Sequence, residues 1–287
     1  MFEIITHVFL HAIEETAKLI PFLFLTYLLL EFIEHKAAQK TSTLTAKAGF
    51  SGPAVGGILG AVPQCGFSAS ASNLYAGGVI SLGTLISIFL STSDEMLPIM
   101  LSEKVEFSKI FSILGIKILS GILIGFLIDL TLRLMKKQSR KIRISDMCDE
   151  KNCGCEKGLL RSTLIHTLQI ALFIFLFSLI IGGLVEWIGE DNLSSLAAEA
   201  GIFSTLICGL IGLIPNCASS VVLTELFLDG VIGTGSILAG LLSGSGVGLL
   251  VLFRVNKNLK ENLLITGIVY TSGVTIGILF DLLGVAL

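Results

Sequence analysis

Long apolar runs, separated by short charged loops, are the feature that most constrains how this chain can fold. Of its 287 residues, 53% are hydrophobic and only 14% are charged, whereas a soluble domain carries about 25% charged residues. The chain has too little polar surface to coat a water-soluble globule, so a soluble enzyme is excluded. At about 20 residues per crossing, the apolar runs supply roughly eight to ten membrane-spanning helices. The sequence predicts an all-α polytopic membrane protein.

The second half of the chain repeats the first. Pro63-Gln64-Cys65 has a counterpart in Pro215-Asn216-Cys217, at a shift of 152 residues (215 − 63). Chance similarity between apolar segments is the alternative, but the shift holds without a gap to the chain end. We predict a first membrane repeat over residues 1–140, a linker over 141–157 and a second repeat over 158–287. The shift relates these further pairs: Gly83 and Gly235, Ser91 and Ser243, Ser93 and Ser245, Gly125 and Gly277, Asp129 and Asp281.

The distribution of Lys and Arg indicates that the two repeats have opposite orientations. Positively charged loops stay in the cytoplasm, and residues 133–161 hold nine Lys and Arg. The first loop, residues 36–48, contains Lys and no acid, whereas the equivalent residues 191–200 contain acids and no Lys or Arg. Equivalent loops therefore lie on opposite sides, which predicts inverted-topology repeats of about five helical segments each.

The Pro-x-Cys turns interrupt apolar stretches that are short for full crossings. Residues 49–62 and 66–80 form either two thin crossings or one re-entrant hairpin, and charge counting does not distinguish these. In inverted-repeat transporters, discontinuous helices surround a substrate near the bilayer midplane. The alternative is a proline kink with small residues that aid helix packing. The candidate substrate-binding residues are Gln64, Cys65, Ser68, Ser70 and Asn73 from the first half, with Asn216, Cys217, Ser219, Ser220 and Glu225 from the second.

A second candidate site is Ser93-Asp94-Glu95, which interrupts the apolar residues 85–101. Adjacent acids are costly inside a membrane and indicate function by default. Asp94 and Glu95 are candidate ligands for a hard cation or candidate proton-exchanging groups. The alternative is an early helix end with both acids among the lipid headgroups. Their counterparts, Gly246 and Val247, are uncharged, and this asymmetry fits a single substrate pathway.

The N-terminal segment carries a candidate metal-binding stripe. His7, His11 and Glu15 are spaced four residues apart, which places them on one helix face. Imidazole and carboxylate groups bind borderline metals. An interfacial amphipathic turn is the alternative.

The linker carries a candidate soft-metal or metalloid site. Cys148, Cys153 and Cys155 lie within eight residues of one another, and disulfides are rare in a reducing compartment. Three thiols with nearby acids match the chemistry of soft metals. The alternative is a charged linker in which the thiols are incidental.

With VPQCGFSAS, STSDEMLPI and IPNCASS, the sequence resembles the ten-transmembrane heavy-metal exporter family, whose members are described as arsenic efflux proteins or manganese transporters. It is more distantly similar to the organoarsenical permeases, which have a Pro-Phe-Cys-x-Cys turn. Here Phe67 stands where the second cysteine of that turn would fall. The resemblance implies a plasma-membrane efflux permease with the Pro-x-Cys turns and the Ser93-Asp94-Glu95 segment at its translocation site.

The sequence therefore predicts a secondary transporter that exports a metal or metalloid and is not an enzyme. Asp94 and Glu95 favour a hard divalent ion such as manganese, whereas Cys65 and Cys217 favour an arsenical. One alternative is a transporter of organic or inorganic anions. Another is a non-transporting metal sensor or partner-recruiting membrane component.

The expected surroundings follow from this interpretation. No resident cofactor is predicted, apart from a transported or regulatory metal ion. The expected partners are the lipid bilayer, the cargo ion, a coupling proton or ion and, as an option, a second copy of the chain. Nucleic acid is excluded as a partner because the basic residues form short clusters rather than one extended face. The predicted location is the plasma (inner) membrane, with the linker in the cytoplasm.

Overall fold

The computed structural model confirms the all-α prediction for the residues it describes. These are 51–63, 65–93, 96–135, 159–188, 202–216 and 218–284, with single residues and short runs between 9 and 28. For some helical residues only the backbone is described. Within these ranges the chain forms helices, turns and bends, and no strand occurs there.

Eleven helices are delimited in the described part of the chain. In chain order they are α1 (Gly52–Gly60), α2 (Cys65–Ala76), α3 (Leu82–Ser91), α4 (Met96–Ser102), α5 (Phe107–Leu134), α6 (Leu159–Ile188), α7 (Ile202–Gly212), α8 (Ala218–Leu228), α9 (Thr234–Ser243), α10 (Val247–Val255) and α11 (Leu259–Leu283). The bounds of α9 are those of α3 shifted by 152 residues (234 − 82 and 243 − 91). With the same shift, α1, α2, α4 and α5 correspond to α7, α8, α10 and α11 to within three residues at each end.

Four stretches of the described residues are long and apolar enough to cross a membrane. Two are continuous, α5 and α11, and only 28% of the most apolar window of each is buried. The other two, Leu82–Ser102 and Thr234–Val255, are the pairs α3/α4 and α9/α10, and 89% of the second window is buried. The interrupted pairs therefore form the interior, whereas α5 and α11 present exposed leucines on their outer faces, as expected of helices that face lipid.

The turns after α2 and α8 have the same geometry. Gly78 and Gly230 have φ angles of 74° and 73°, a backbone region that glycine adopts without steric cost. The N–H of Val79 donates to the carbonyl of Leu74, and the N–H of Val231 donates to that of Leu226. This pairing is the Schellman helix ending, so the repeated Gly-Val sequence ends both helices in the same manner.

An aspartate at the end of each lipid-facing helix holds the start of an interrupted helix. Asp129 of α5 accepts a 2.9 Å hydrogen bond from the backbone N–H of Gly83, and Asp281 of α11 accepts one of 2.9 Å from Gly235. First-turn N–H groups have no partner within their own helix, and a carboxylate there also interacts favourably with the helix dipole. These two contacts fix α3 against α5 and α9 against α11.

Replacement of Gly83 by alanine should destabilise the protein. A Cβ at Gly83 would lie 2.1 Å from the carbonyl oxygen of Gly125 and 2.6 Å from Cγ of Asp129, so α3 and α5 would have to separate. We expect a cost of ~1–3 kcal/mol, typical of overpacking, measured as a lower melting temperature in detergent. A Cβ at Gly115, also on α5, meets nothing within 4 Å, and Gly115→Ala is the control. Equal melting temperatures for the two variants would contradict this packing.

Candidate functional site

A small polar cavity lies where residues of the two halves meet. Its volume is about 10 Å³, which is room for about one water molecule. Its polar lining consists of Thr92, Ser93, Lys117, Asn216, Ser219 and Ser220, and its other lining residues are Gly212, Leu223, Gly240, Leu241, Gly244 and Gly246. Four of the predicted site residues, Ser93, Asn216, Ser219 and Ser220, are thus brought together from segments far apart in the chain.

The first-half wall of the cavity is the polar end of α3. Ser91 and Thr92 donate side-chain hydrogen bonds of 2.7 Å to the carbonyls of Ser87 and Ile88. Ser93 donates a 2.6 Å hydrogen bond to the carbonyl of Ala61, the residue that follows α1. The serine and threonine hydroxyls therefore supply donors for backbone carbonyls where the regular helix stops, and Ser93 joins the ends of α1 and α3.

The second-half wall is the turn that contains Pro215. The N–H of Asn216 donates to the carbonyl of Ile214 at 2.7 Å, and the hydroxyl of Ser219 donates to the carbonyl of Asn216 at 2.8 Å. Proline has no N–H and cannot continue the α7 hydrogen-bond ladder. The turn therefore places Asn216, which is 4% exposed, against the cavity.

Lys117 completes the lining and comes from the middle of α5. It is 1% exposed, and its Nζ donates hydrogen bonds to the carbonyls of Thr92 and Leu241, the second at 2.9 Å. No role for this residue was predicted from the sequence. The available signal was a lysine in the middle of the apolar helix Phe107–Leu134, well inside it compared with Lys109 in its first turn, because an ionisable residue inside a membrane helix indicates function by default.

A second interruption, between α9 and α10, was not predicted. Gly246 has φ 53° and ψ −142°, a conformation that is essentially restricted to glycine. Ser243 and Ser245, on either side of Gly244, are buried, and their hydroxyl oxygens have no hydrogen-bond partner among the described residues. The only sequence signal was the Ser-Gly-Ser-Gly run that aligns with Ser91-Thr92-Ser93-Asp94.

Some predicted site residues lie away from the cavity. Ser68 is fully buried on α2 against α10, where a Cβ built on Gly248 would lie 2.7 Å from the Cβ of Ser68. Asn73 is also buried on α2, and Glu225 has an exposed side chain on α8. Ser70 is half-buried. None of the four is among the residues that line the cavity.

The remaining predicted ligands stay predictions, because their side chains lie outside the described residues. They are Gln64, Cys65, Asp94, Glu95 and Cys217, the N-terminal group His7, His11 and Glu15, and the linker group Cys148, Cys153 and Cys155. Within the described ranges, no three His, Cys, Asp or Glu side chains are close enough to hold a metal ion.

The fold and cavity define a helical membrane protein with a buried polar site between interrupted helices. Over residues 6–191 the chain matches the family described as "Putative, 10TM heavy-metal exporter". This match covers more than half of the chain, so the protein belongs to that family, and the resemblance seen in the sequence is confirmed. No curated protein and no solved structure matches the chain. Membership of this family implies the lipid bilayer and a heavy-metal ion as its partners.

Replacement of Ser93 by alanine should weaken the joint between α1 and α3. The change removes the 2.6 Å hydrogen bond to the carbonyl of Ala61 and leaves a part-buried acceptor without that donor, at a cost of ~1 kcal/mol. Ser102→Ala is the matched control, because its hydroxyl makes a local 2.8 Å bond to Ile99 at the surface. Thermal unfolding in detergent compares the two, and an equal loss in both would show that the Ser93 contact has no special role.

Proposed function

We propose that this protein exports a metal or metalloid ion that binds in the cavity between α3 and the Asn216 turn. The observation that carries the proposal is the convergence of interrupted segments from both halves on one buried polar space. Irregular backbone at membrane depth is tolerated where protein buries it or where it lines a cavity. Discontinuous helices that meet around such a space are the common substrate site of secondary transporters.

The two halves are proposed to be inverted repeats that alternate access to this site. In support, their contacts are reciprocal: α2 packs against α10 as α8 packs against α4, and α3 packs against α11 as α9 packs against α5. Reciprocal contacts of this kind are typical of a two-fold relation. The Lys and Arg distribution favours an axis in the membrane plane, with the linker (residues 141–157) on the cytoplasmic side of the plasma membrane.

The helix lengths support Pro-x-Cys tips near the middle of the bilayer. Helices α1 and α2 contain 9 and 12 residues, and α7 and α8 contain 11 each. At about 1.5 Å per residue they are roughly 14–18 Å long, about half of a hydrocarbon core of about 30 Å. Each of these helices is long enough to cross about half of the core, which supports a re-entrant hairpin or a broken helix.

The oxygen ligands in the described lining match a hard ion such as manganese as the cargo, and the acids Asp94 and Glu95 are proposed to offset the positive charge of Lys117 in the same lining. Hydroxyl and amide oxygens from Ser93, Asn216 and Ser220 are of the type that Mn²⁺ binds, and Asp94 follows Ser93 directly. The buried hydroxyl of Ser245, which flanks the lining glycines, has no described partner. A buried hydroxyl without a hydrogen bond destabilises a protein by ~1–3 kcal/mol. A cargo ion that binds the Ser245 hydroxyl would remove this cost. An arsenical bound by Cys65 and Cys217 is the second candidate cargo.

Metal efflux from cells of a metal-sensitive host tests these proposed cargo ligands. Asn216→Ala should lower the rate of metal efflux by about tenfold, since one lost ligand contact is worth ~1.4 kcal/mol. Asp94→Asn should abolish manganese efflux and spare arsenite efflux, whereas Cys65→Ser should do the reverse if the cargo is an arsenical. Ser112→Ala is the control, because its hydroxyl bonds locally to Ser108 away from the cavity. Cellular metal content gives the rate.

Three outcomes would count against the proposal. A wild-type protein that exports no metal would contradict the exporter function. Transport that is independent of metal but inhibited by carboxylates would favour an anion carrier. Loss of function on deletion of residues 147–156, together with full function of Asn216→Ala, would favour a metal sensor or partner-recruiting component.

A further inference from the structure

Lys117 is a buried cation in the middle of a membrane helix. It is 1% exposed, so its ammonium group does not extend to the water interface as lysines near helix ends do. A charge at this depth is costly unless its surroundings compensate it. The groups that surround the ammonium therefore indicate its role.

The described partners of Lys117 are two carbonyls at the ends of interrupted helices. Thr92 directly follows the last residue of α3, and Leu241 lies in the last turn of α9. The last four carbonyls of a helix have no partner within that helix. Lys117 Nζ donates to the carbonyl oxygens of both residues, so one side chain bonds the same end of the two equivalent helices, one from each half.

The partial charges of the two helix ends help to compensate the charge of the ammonium. A helix C-terminus carries the equivalent of about −0.5 elementary charge, so two converging ends supply about −1. The ammonium supplies one positive charge. The second half has Val269 at the position equivalent to Lys117 (269 − 117 = 152), and Val269 is fully buried in the apolar core. The single ammonium of Lys117 therefore donates hydrogen bonds to both helix ends.

We propose that the ammonium of Lys117 is a tethered cation that takes the place of a soluble coupling ion at this junction. In transporters with broken helices, half-helix C-terminal ends and unwound carbonyls coordinate Na⁺. Here the carbonyls of Thr92 and Leu241 are already coordinated by the chain itself. Export consequently requires neither Na⁺ nor K⁺, and Lys117 holds the interrupted helices of the two halves together. The first consequence depends on the proposed transport function, whereas the second does not.

The direct test is chemical rescue of the junction in the purified full-length protein. Lys117→Ala removes the cation and opens space, and Lys117→Met removes the cation but fills most of that space. Melting temperatures in detergent are compared in sodium, ammonium, methylammonium and choline chloride at equal ionic strength. Lys109→Ala is the control, because Lys109 is exposed on the same helix.

We expect the wild type and Lys109→Ala to melt at the same temperature in all four salts. Lys117→Ala should melt lower in choline and regain at least half of the loss in sodium, ammonium or methylammonium. Lys117→Met should melt at a lower temperature than the wild type and should not recover in any of the four salts. Absence of rescue for Lys117→Ala in every salt, or wild-type stability of Lys117→Met, would overturn the proposal.

Transport by the wild type tests the tethered-cation role of Lys117 even if Lys117→Ala does not fold. Metal efflux by the wild type in vesicles should change by less than twofold when choline replaces all Na⁺ and K⁺. A drop of more than tenfold would overturn the tethered-cation role while leaving the exporter function intact. If the wild type exports metal in none of the salts, the proposed function is contradicted. The melting experiment still tests the junction in that case.

Discussion

Unpaired backbone groups in hydrocarbon are the constraint on which this structure depends. A helix that stops inside a membrane leaves carbonyl and N–H groups that lipid cannot bond, at a cost of several kcal/mol for each group. Both α3/α4 and α9/α10 stop in this way. The chain supplies donors at these ends, from the hydroxyls of Ser91 and Thr92 and from the ammonium of Lys117. The polar cavity lies where these donors gather.

The continuous helices α5 and α11 hold the interrupted helices in place. Their glycines allow close backbone contact: a Cβ at Gly125 would lie 2.5 Å from the carbonyl oxygen of Gly83, and one at Gly277 would lie 2.4 Å from that of Gly235. Small residues at helix contacts are the usual means of close packing in membranes, where no hydrophobic driving force brings helices together. One face of α5 and α11 thus packs on the interior, and the other presents leucine to the bilayer.

The features that the sequence predicted are those with a local or repeated signal. Long apolar runs with few charges determine the all-α fold, and the repeated Pro-x-Cys turns pointed to Asn216 and Ser220, both of which line the cavity. Ser93 was found because hydroxyls beside two acids are unusual within an apolar run. For these residues the chemical type of the side chain was enough to mark them as candidates, without knowledge of the groups they contact.

The remaining features depend on contacts between distant parts of the chain. Lys117 bonds a carbonyl 124 residues away, and no local pattern encodes that pairing. The interruption before Gly246 lies in a run without proline or charge, so its apolar composition resembles that of a continuous helix. Ser68 was assigned to the substrate site, but the close approach of Gly248 places it at a helix contact. A polar residue on a helix does not show in advance whether it will face a cavity or another helix.

In the proposed mechanism the cargo binds between interrupted helices contributed by both halves. Anomalous diffraction from crystals of the full chain, soaked separately in Mn²⁺ and in arsenite, tests it most directly. We expect an anomalous peak in the cavity, in contact with the side chains of Ser93 and Asn216, for at least one of the two. Peaks only at the linker cysteines or at the N-terminal His7, His11 and Glu15, with none in the cavity, would contradict it.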